Sequence, residues 1–317
     1  MLGSPSLKDS KSSSYLIALI FLFLFSGSSV VVADDLQDGF DAYDREDYKA
    51  AHKLLFPLAK QGNASAQNIL GVIYNNGQGV PQDYKKALKL YRFSAKQGDA
   101  EAQYNLGVMY ENGRGVPQDY KKALKLFRLS VEQENASAQY NLGMMYAQGK
   151  GVPQDDKEAV KWSRLSAEQG FAAAQYNLGV MYYEGQRLPK DYKETVRLFR
   201  LSAEQGFAAA QNNLGGIYSL GQGVPQNYKK ALKWYRLSAE QGYVDAQYNL
   251  GLMYKNGQGV PQDYVLAYMW LNICGSTGGE KNDEDCMKNR TIIEKKMTKQ
   301  QIEKAQKMVK NWKPKKK

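Results

Sequence analysis

The sequence of 317 residues has one histidine and two cysteines, and this scarcity excludes several kinds of active site. Because His52 is the only imidazole, a metal cluster or proton shuttle that needs two histidines cannot be built. A zinc site of the Cys/Cys/His type would have to recruit distant residues. We therefore expect no catalytic residues, no metal and no cofactor, which favours a binding protein over an enzyme.

A basic groove is also missing, although the formal net charge is +11. Most of that charge comes from residues 281–317, which hold 13 basic and 5 acidic side chains. Residues 34–280 hold 28 basic and 26 acidic side chains, a net charge of only +2. A nearly neutral body does not select a polyanion, so we expect no nucleic-acid partner and interpret the lysines of the second helices described below as a solvated surface.

The first 33 residues have the pattern of an export signal. An apolar run from Leu16 to Phe25 follows Lys8 and Lys11, and Ala33 precedes the expected cleavage point. No cysteine follows the run, so a lipid anchor of the lipoprotein type is not indicated. We expect a cleaved signal peptide over 1–33 and a periplasmic or secreted bacterial protein without stable membrane insertion; an uncleaved anchor over 15–33 is the alternative.

A period of 36 residues organises most of the chain. Leu-Gly pairs and a Val-Pro-Gln marker recur at this interval, with Leu-Pro-Lys in the fourth unit, which gives six units over 63–278 without an insertion. The Leu-Gly pairs begin at Leu70, Leu106, Leu142, Leu178, Leu214 and Leu250.

Each unit has the pattern of two helices. In the second unit, Leu106 and Tyr110 lie on one helical face, Gly113 is expected to cap the first helix, and Asp119 is expected to start the second. A glycine in mid-helix, such as Gly107, destabilises a helix by about 1 kcal/mol, so its recurrence indicates close helix packing. A single pair cannot bury its apolar faces, so the predicted fold is all-α: a right-handed α-solenoid of helix-turn-helix repeats.

The repeated motifs resemble those of the Sel-one-like repeat (SLR) family, a relative of the tetratricopeptide repeat. They are Ala-Gln-Tyr-Asn-Leu-Gly-x-Met-Tyr, Asn-Gly-x-Gly-Val-Pro-Gln-Asp-Tyr-Lys-Lys-Ala and Ser-Ala-Glu-Gln-Gly, and the resemblance covers 64–275. Residues 34–62 resemble a degenerate tetratricopeptide-like helix pair. The resemblance implies a non-enzymatic scaffold or adaptor for protein assembly, with monomer as the default state. A cell-wall or β-lactam hydrolase, by analogy with cysteine-rich relatives, and a membrane-anchored regulator are the alternatives.

Alignment with the tetratricopeptide pattern places two columns of first-helix residues on the concave face, where a protein or peptide would bind. Tyrosine offers rigid contact area, and asparagine both donates and accepts hydrogen bonds, which suits an extended chain. The alternative is that both columns serve packing and hydrogen bonding between repeats, and we then expect specificity to come from columns that vary, such as the one containing Gly216. The candidate binding residues are Tyr104, Asn105, Tyr140, Asn141, Tyr176, Asn177, Asn213, Tyr248 and Asn249.

Departures from the repeat give further expectations. Arg187 replaces the second loop glycine of the fourth unit, which predicts a different backbone, and Ser163 and Thr195 predict looser packing. Cys274 and Cys286 are candidates for a disulfide in an exported chain.

Residues 279–317 are expected to form capping helices, at about 283–296 and from Thr298, and a lysine-rich solubilising tail. The apolar residues expected to cover the end of the stack are Ile292, Ile293, Met297, Ile302, Ala305, Met308 and Val309.

Overall fold

The computed structural model describes residues 35–277 and 280–315, and within them every regular element is a helix. The predicted signal peptide lies outside the described residues. The first helices of the six repeats are α3 Ala64–Asn76, α5 Ala100–Asn112, α7 Ala136–Gln148, α9 Ala172–Glu184, α11 Ala208–Leu220 and α13 Val244–Asn256. The second helices are α4 Tyr84–Lys96, α6 Tyr120–Val131, α8 Asp156–Glu168, α10 Tyr192–Glu204, α12 Tyr228–Glu240 and α14 Tyr264–Thr277. The flanking helices are α1 over 35–44, α2 Tyr48–Lys60, α15 Glu280–Glu294 and α16 Lys299–Asn311.

The helix boundaries follow from the chemistry of the turn. Gly113 ends α5 in the left-handed conformation, with φ of 68°, and its N–H donates to the Met109 carbonyl. The Asp119 carboxylate accepts a hydrogen bond of 2.9 Å from the backbone N–H of Lys122 in the first turn of α6. Both predicted caps are confirmed, and they recur in most of the other repeats.

Close approach between the two helices of a repeat explains the mid-helix glycines. A Cβ atom on Gly107 would lie 2.6 Å from a ring carbon of Phe127, a side chain with no solvent exposure. In the third repeat Ser163 takes the place of this ring, and a Cβ on Gly143 would instead meet the Ser163 hydroxyl at 3.0 Å and backbone atoms of α8 at 3.2 Å. The helices therefore approach more closely where the ring is missing.

The expectation of looser packing at the two substituted positions is wrong. Ser163 and Thr195 are 1% and 0% exposed. The Thr195 hydroxyl donates to the Asp191 carbonyl at 2.7 Å, which satisfies it within its own helix turn. Thr195 is thus accommodated by a local hydrogen bond and Ser163 by the approach of the two helices, although the Ser163 hydroxyl has no hydrogen-bond partner in the described residues.

In the first five repeats, part-buried hydrogen bonds hold the two helices in register. The serine hydroxyl near the end of the second helix donates to the carbonyl of the first residue of the first helix, as Ser130 does to Ala100 at 2.7 Å. A glutamine after the second helix donates to a buried glutamine of the first, as Gln133 does to Gln103 at 3.1 Å. The side chains that pair are spaced by 30 residues, so the pairing lies within each 36-residue unit.

The described chain divides into two compact units, one ending at Ala138 and one beginning at Gln139. In the first unit the cores lie between α2 and α3 and between α4 and α5. In the second unit the largest core runs from α10 to α14 and continues into α15 and α16. The chain is thus an all-α repeat solenoid in which helix pairs share apolar surface with their neighbours.

The loop of the fourth repeat differs as predicted, because Arg187 does not adopt the positive φ of the glycines at that position. The Arg187 guanidinium instead forms an ion pair with Asp156 at 2.7 Å. Asp156 itself replaces the tyrosine that begins the second helix of every other repeat. One junction therefore exchanges a glycine–tyrosine contact for a charged pair.

The C-terminal helices pack on α14 and differ in detail from the expectation. α15 ends at Glu294, because the N–H groups of Lys296 and Met297 donate three residues back and tighten the chain into turns. The capping box of Thr298 and Gln301 is confirmed. Ile293 is buried, but Ile292 is 41% exposed, so its assignment to the covering face is wrong.

The segment after α16 is held against the second unit instead of forming a free tail. The Trp312 ring packs edge-on against Trp270, with centroids 6.1 Å apart. The Lys315 ammonium pairs with the Glu240 carboxylate at 2.7 Å. The structure joins Cys274 of α14 to Cys286 of α15 as a disulfide, with Cα atoms 6.0 Å apart and both side chains buried.

Candidate binding face on the first helices

The nine candidate residues lie on the first helices and are half-buried, so each presents part of its surface to solvent. Their exposure follows from the helix period, since the alanine, glutamine and leucine positions of the same helices are buried. We call these nine residues, with Asn68 and Asn212 of the same columns, the first-helix face.

The asparagines of this face form hydrogen bonds between neighbouring repeats. Four of them donate an amide N–H to a residue 37 positions earlier, in the column one place before: Asn105, Asn177, Asn213 and Asn249. In the first unit Asn105 donates to Asn68 at 3.0 Å. In the second unit Asn177 donates to the Tyr140 hydroxyl at 3.0 Å, and Asn213 donates to the Tyr176 hydroxyl at 3.3 Å. These amide groups serve the fold, as the packing interpretation of the sequence anticipated.

The tyrosines of the face stack on aromatic rings of the second helices and of the turns. The Tyr176 ring lies 5.5 Å from the ring of Phe199 and 5.3 Å from that of Phe207. Burial raises the pKa of the Tyr176 hydroxyl, which therefore stays protonated at neutral pH. The packed faces of these rings support the first-helix face, and only their outer edges are exposed to a ligand.

One recess interrupts the face, in the fifth repeat. The column that carries valine, methionine or leucine in other repeats carries Gly216 here, and a Cβ on Gly216 would meet only the Tyr235 hydroxyl, at 3.5 Å. The neighbouring column carries Asn212 in place of tyrosine. Two missing side chains leave a cavity of about 180 Å³. It is lined by Tyr183, Phe199, Asn212, Asn213, Gly216, Ile217, Leu220, Gln222, Tyr235 and Asn249.

The recess combines an apolar floor with a polar rim. Leu220, at 67% exposed, stands at its edge. At the rim, Asn249 donates to Asn212 at 3.1 Å, and Asn212 donates to Asn213 at 3.3 Å. The carbonyl oxygen of Asn249 has no partner within the described part of the chain and is therefore an available acceptor. Burial raises the pKa of Tyr235 to about 12, which keeps its hydroxyl neutral.

The volume of the recess suits one side chain. A cavity of about 150 Å³ lined by apolar side chains holds benzene in another protein. The recess, at about 180 Å³, therefore has room for one aromatic or branched aliphatic side chain. Asn249 lines the same recess, so its free carbonyl oxygen is a candidate acceptor for a backbone N–H of the chain that carries this side chain.

The sequence marked the column containing Gly216 as variable, but it did not connect Gly216 with Asn212 as parts of one recess. Tyr183, Leu220 and Gln222 were missed because they lie near the ends of first helices, where no column pattern marks them. The recess could have been predicted from two positions on one helix face, four residues apart, that both carry smaller side chains than in most other repeats.

Two further classes of site were sought in the residues that the structure describes. Neither 35–277 nor 280–315 contains a group of three or more histidine, cysteine, aspartate or glutamate side chains placed to hold a metal ion. In the same residues, no helix has the length and apolar character required to span a bilayer.

Comparison with known proteins identifies the family to which this repeat architecture belongs. Six consecutive segments match the Sel1 repeat: residues 64–99, 100–135, 136–171, 172–207, 208–243 and 244–273. The chain belongs to the Sel1 repeat family. A Sel1 repeat protein from Oxalobacter formigenes is similar in structure, with 33% identity and a TM-score of 0.66 over 78% of this chain and 98% of that one.

A second solved structure is similar over a longer stretch of this Sel1 repeat chain. It is c5321, a protective antigen present in uropathogenic Escherichia coli strains that displays an SLR fold. The identity is 32% and the TM-score 0.52, over 89% of this chain and 68% of that one. No curated protein matches the chain. Sel1 repeats generally form scaffolds that bind protein partners.

Proposed function

We propose that this protein is an exported, non-enzymatic Sel1 repeat scaffold that binds an extended segment of a partner protein on the first-helix face of its second unit. The recess of the fifth repeat takes one apolar side chain of that segment, and Asn249 accepts a hydrogen bond from its backbone. The family supports the scaffold role, and the recess is the single observation that supports this position for the ligand.

The proposal separates the two kinds of residue on the face. The recurring asparagines and tyrosines build a firm surface, because their amide and hydroxyl groups bridge adjacent repeats. Discrimination between partners then falls on the recess, where a ligand side chain is enclosed and desolvated. An extended ligand suits the face because successive repeats present similar half-buried positions along it.

The direct test fills the recess without removing any contact. Gly216→Val supplies the side chain that Val180 provides one repeat earlier, and the space around a Cβ at position 216 allows it. Partner recovery in pull-down experiments from the native compartment should fall to background, while the melting temperature stays the same or rises. The matched control is Val72→Leu, which adds bulk to the same column in the first unit, outside the proposed binding region, and should leave recovery unchanged.

Unchanged recovery with a folded Gly216→Val protein would contradict the proposal. Gly216→Val tests binding more directly than the double variant Tyr140→Ala with Tyr176→Ala. The hydroxyls of Tyr140 and Tyr176 accept hydrogen bonds between repeats, so their loss also weakens the fold.

Export has its own test. Sequencing the N-terminus of the mature protein should give a chain that starts at Asp34. Retention of residues 15–33 would instead favour the membrane-anchored alternative.

A further inference from the structure

A second cleft lies in the first unit, on the side formed by the second helices. It is bounded by α2 and α4, with α3 as its floor, and its volume is about 620 Å³. Its apolar lining includes Phe56, Leu70, Leu90 and Phe93. Phe56 and Phe93 are 39% and 50% exposed, a large area for aromatic rings that face water.

The lining of this cleft differs from that of its equivalents because the first junction lacks an arginine. In other junctions an arginine of one second helix crosses to a tyrosine of the next first helix, as Arg92 does to the Tyr110 hydroxyl at 2.8 Å. The corresponding position in α2 is Phe56, which cannot form this bond. The Tyr74 hydroxyl is bonded instead by His52, at 2.8 Å. The apolar floor of the cleft is therefore not crossed by an arginine side chain. The equivalent arginine bonds come from Arg164, Arg200 and Arg236.

Three lysines line this apolar floor. The ammonium groups of Lys60 and Lys89 lie 4.5 and 5.9 Å from the ring centroids of Phe56 and Phe93, and neither lysine has a carboxylate within 4.0 Å in the described part of the chain. Lys86 lies over Tyr74 and is paired with Asp83 at 3.5 Å. Two of the three cations are thus available to a ligand.

The equivalent cleft between α8 and α10 in the second unit is electrically different. Its charged lining residues are two arginines and two glutamates, and Arg197 is paired with Glu194 at 2.6 Å. The first cleft therefore combines exposed aromatic rings with uncompensated positive charge, which favours a ligand that is both apolar and anionic.

The spacing of the lysines decides what kind of anion fits. The 36-residue period places Lys89, the available lysine of α4, level with Lys53 of α2, and Lys60 lies seven residues further along that helix, a rise of about 10 Å. A lipid with one carboxylate neutralises only one end of such a cleft. A peptide can carry carboxylates near both ends and an apolar side chain between them, since about three or four extended residues span this distance.

We propose that the cleft between α2 and α4 binds an acidic peptide segment of a partner protein, with an aromatic or aliphatic side chain of that segment seated between Phe56 and Phe93. The carboxylates on either side of that residue pair with Lys60 at one end and with the α4 lysines at the other. This site is separate from the recess of the fifth repeat and does not depend on it.

Three labelled peptides test the proposal by fluorescence anisotropy with the full-length protein. The first is Glu-Glu-Ser-Phe-Ser-Glu-Glu; the second replaces glutamate by glutamine, and the third replaces phenylalanine by serine. The first peptide should bind, and each of the others should bind at least about tenfold more weakly. Equal binding of the neutral peptide, or no binding of the first, would overturn the proposal.

Matched variants locate the binding. Lys60→Gln with Lys89→Gln should weaken binding of the acidic peptide about tenfold, and Phe56→Gln should do the same by removing one of the two exposed rings without changing the charge. Lys96→Gln with Lys125→Gln removes the same charge one repeat further and should change binding less than about twofold.

Equal losses in the two double variants would show non-specific attraction and would refute the site. The proposal would also be refuted if anionic vesicles bound more tightly than the peptide and lost binding in the Lys60→Gln with Lys89→Gln variant. The surface would then bind a membrane. All the substituted side chains are exposed, and melting curves by circular dichroism verify that each variant is folded.

Discussion

Two adjacent glycines in α11 are predicted to respond in opposite ways to the same substitution. A Cβ on Gly215 would lie 2.8 Å from the Cδ1 atom of Tyr235, closer than real Cβ contacts allow. A Cβ on Gly216 would meet only the hydroxyl of the same tyrosine, at 3.5 Å, which is ordinary van der Waals contact. Gly215→Ala should therefore destabilise the protein, whereas Gly216→Ala should stabilise it.

The magnitudes follow from two opposing effects. Replacing a mid-helix glycine by alanine stabilises a helix by about 1 kcal/mol, and this gain applies to both positions. At Gly215 the new methyl group must displace the Tyr235 ring, which is only 6% exposed, and overpacking of this kind destabilises by about 1–3 kcal/mol. The difference between the variants cancels the helix propensity and isolates the steric effect, about 1–3 kcal/mol.

The assay has to be local, because stacked repeats depart from two-state unfolding. Hydrogen exchange of the α11 and α12 amides, followed by mass spectrometry, reports the free energy of opening this repeat. Urea unfolding of the whole chain provides the second measurement. If Gly215→Ala protects these amides as well as Gly216→Ala does, the close approach of helix and ring is not what selects glycine.

Three further predictions concern departures from the repeat. Arg187→Gly alone should destabilise the junction by about 0.5–1 kcal/mol by leaving Asp156 unpaired, and adding Asp156→Tyr should recover the loss in a double-mutant cycle. Ser163→Ala should stabilise by up to about 1 kcal/mol in urea unfolding, because the buried Ser163 hydroxyl has no partner in the described chain. Cys274→Ser with Cys286→Ser should lower the stability of the C-terminal helices by about 3 kcal/mol in hydrogen exchange, and an unchanged value would show that the bond does not form in the native protein.

Repetition made the fold predictable from the sequence. A helix boundary such as Gly113 or Asp119 is specified by local chemistry, and six copies of that chemistry at one interval leave little freedom in the assignment. The mid-helix glycines likewise pointed to close packing before the ring of Phe127 could be placed against Gly107. Local sequence patterns did not predict how neighbouring helices adjust their separation to the size of a side chain. Beside Ser163, for example, α7 and α8 approach each other closely.

The two candidate ligand sites were harder to foresee because each results from a side chain that is absent. Gly216 and Asn212 look like variation within their columns until the structure shows that both vacate the same volume. Phe56 looks like an ordinary apolar residue until Arg92 is seen bonded to Tyr110 one repeat later. An absent contact has no local sequence signature, so only the three-dimensional relation between repeats exposes it.

The repeat itself therefore argues against assigning ligand contacts to the amide N–H groups of its regular asparagines, and leaves only an oxygen such as that of Asn249. A side chain present in nearly every copy has an equivalent neighbour at every junction, and the asparagines use that neighbour, as Asn177 does with Tyr140. Their amide groups are already engaged before any ligand arrives, so rebinding them to a partner would exchange one hydrogen bond for another with little net gain. A departure such as Gly216 leaves a surface that no internal contact satisfies, and burying that surface is where binding free energy remains to be gained.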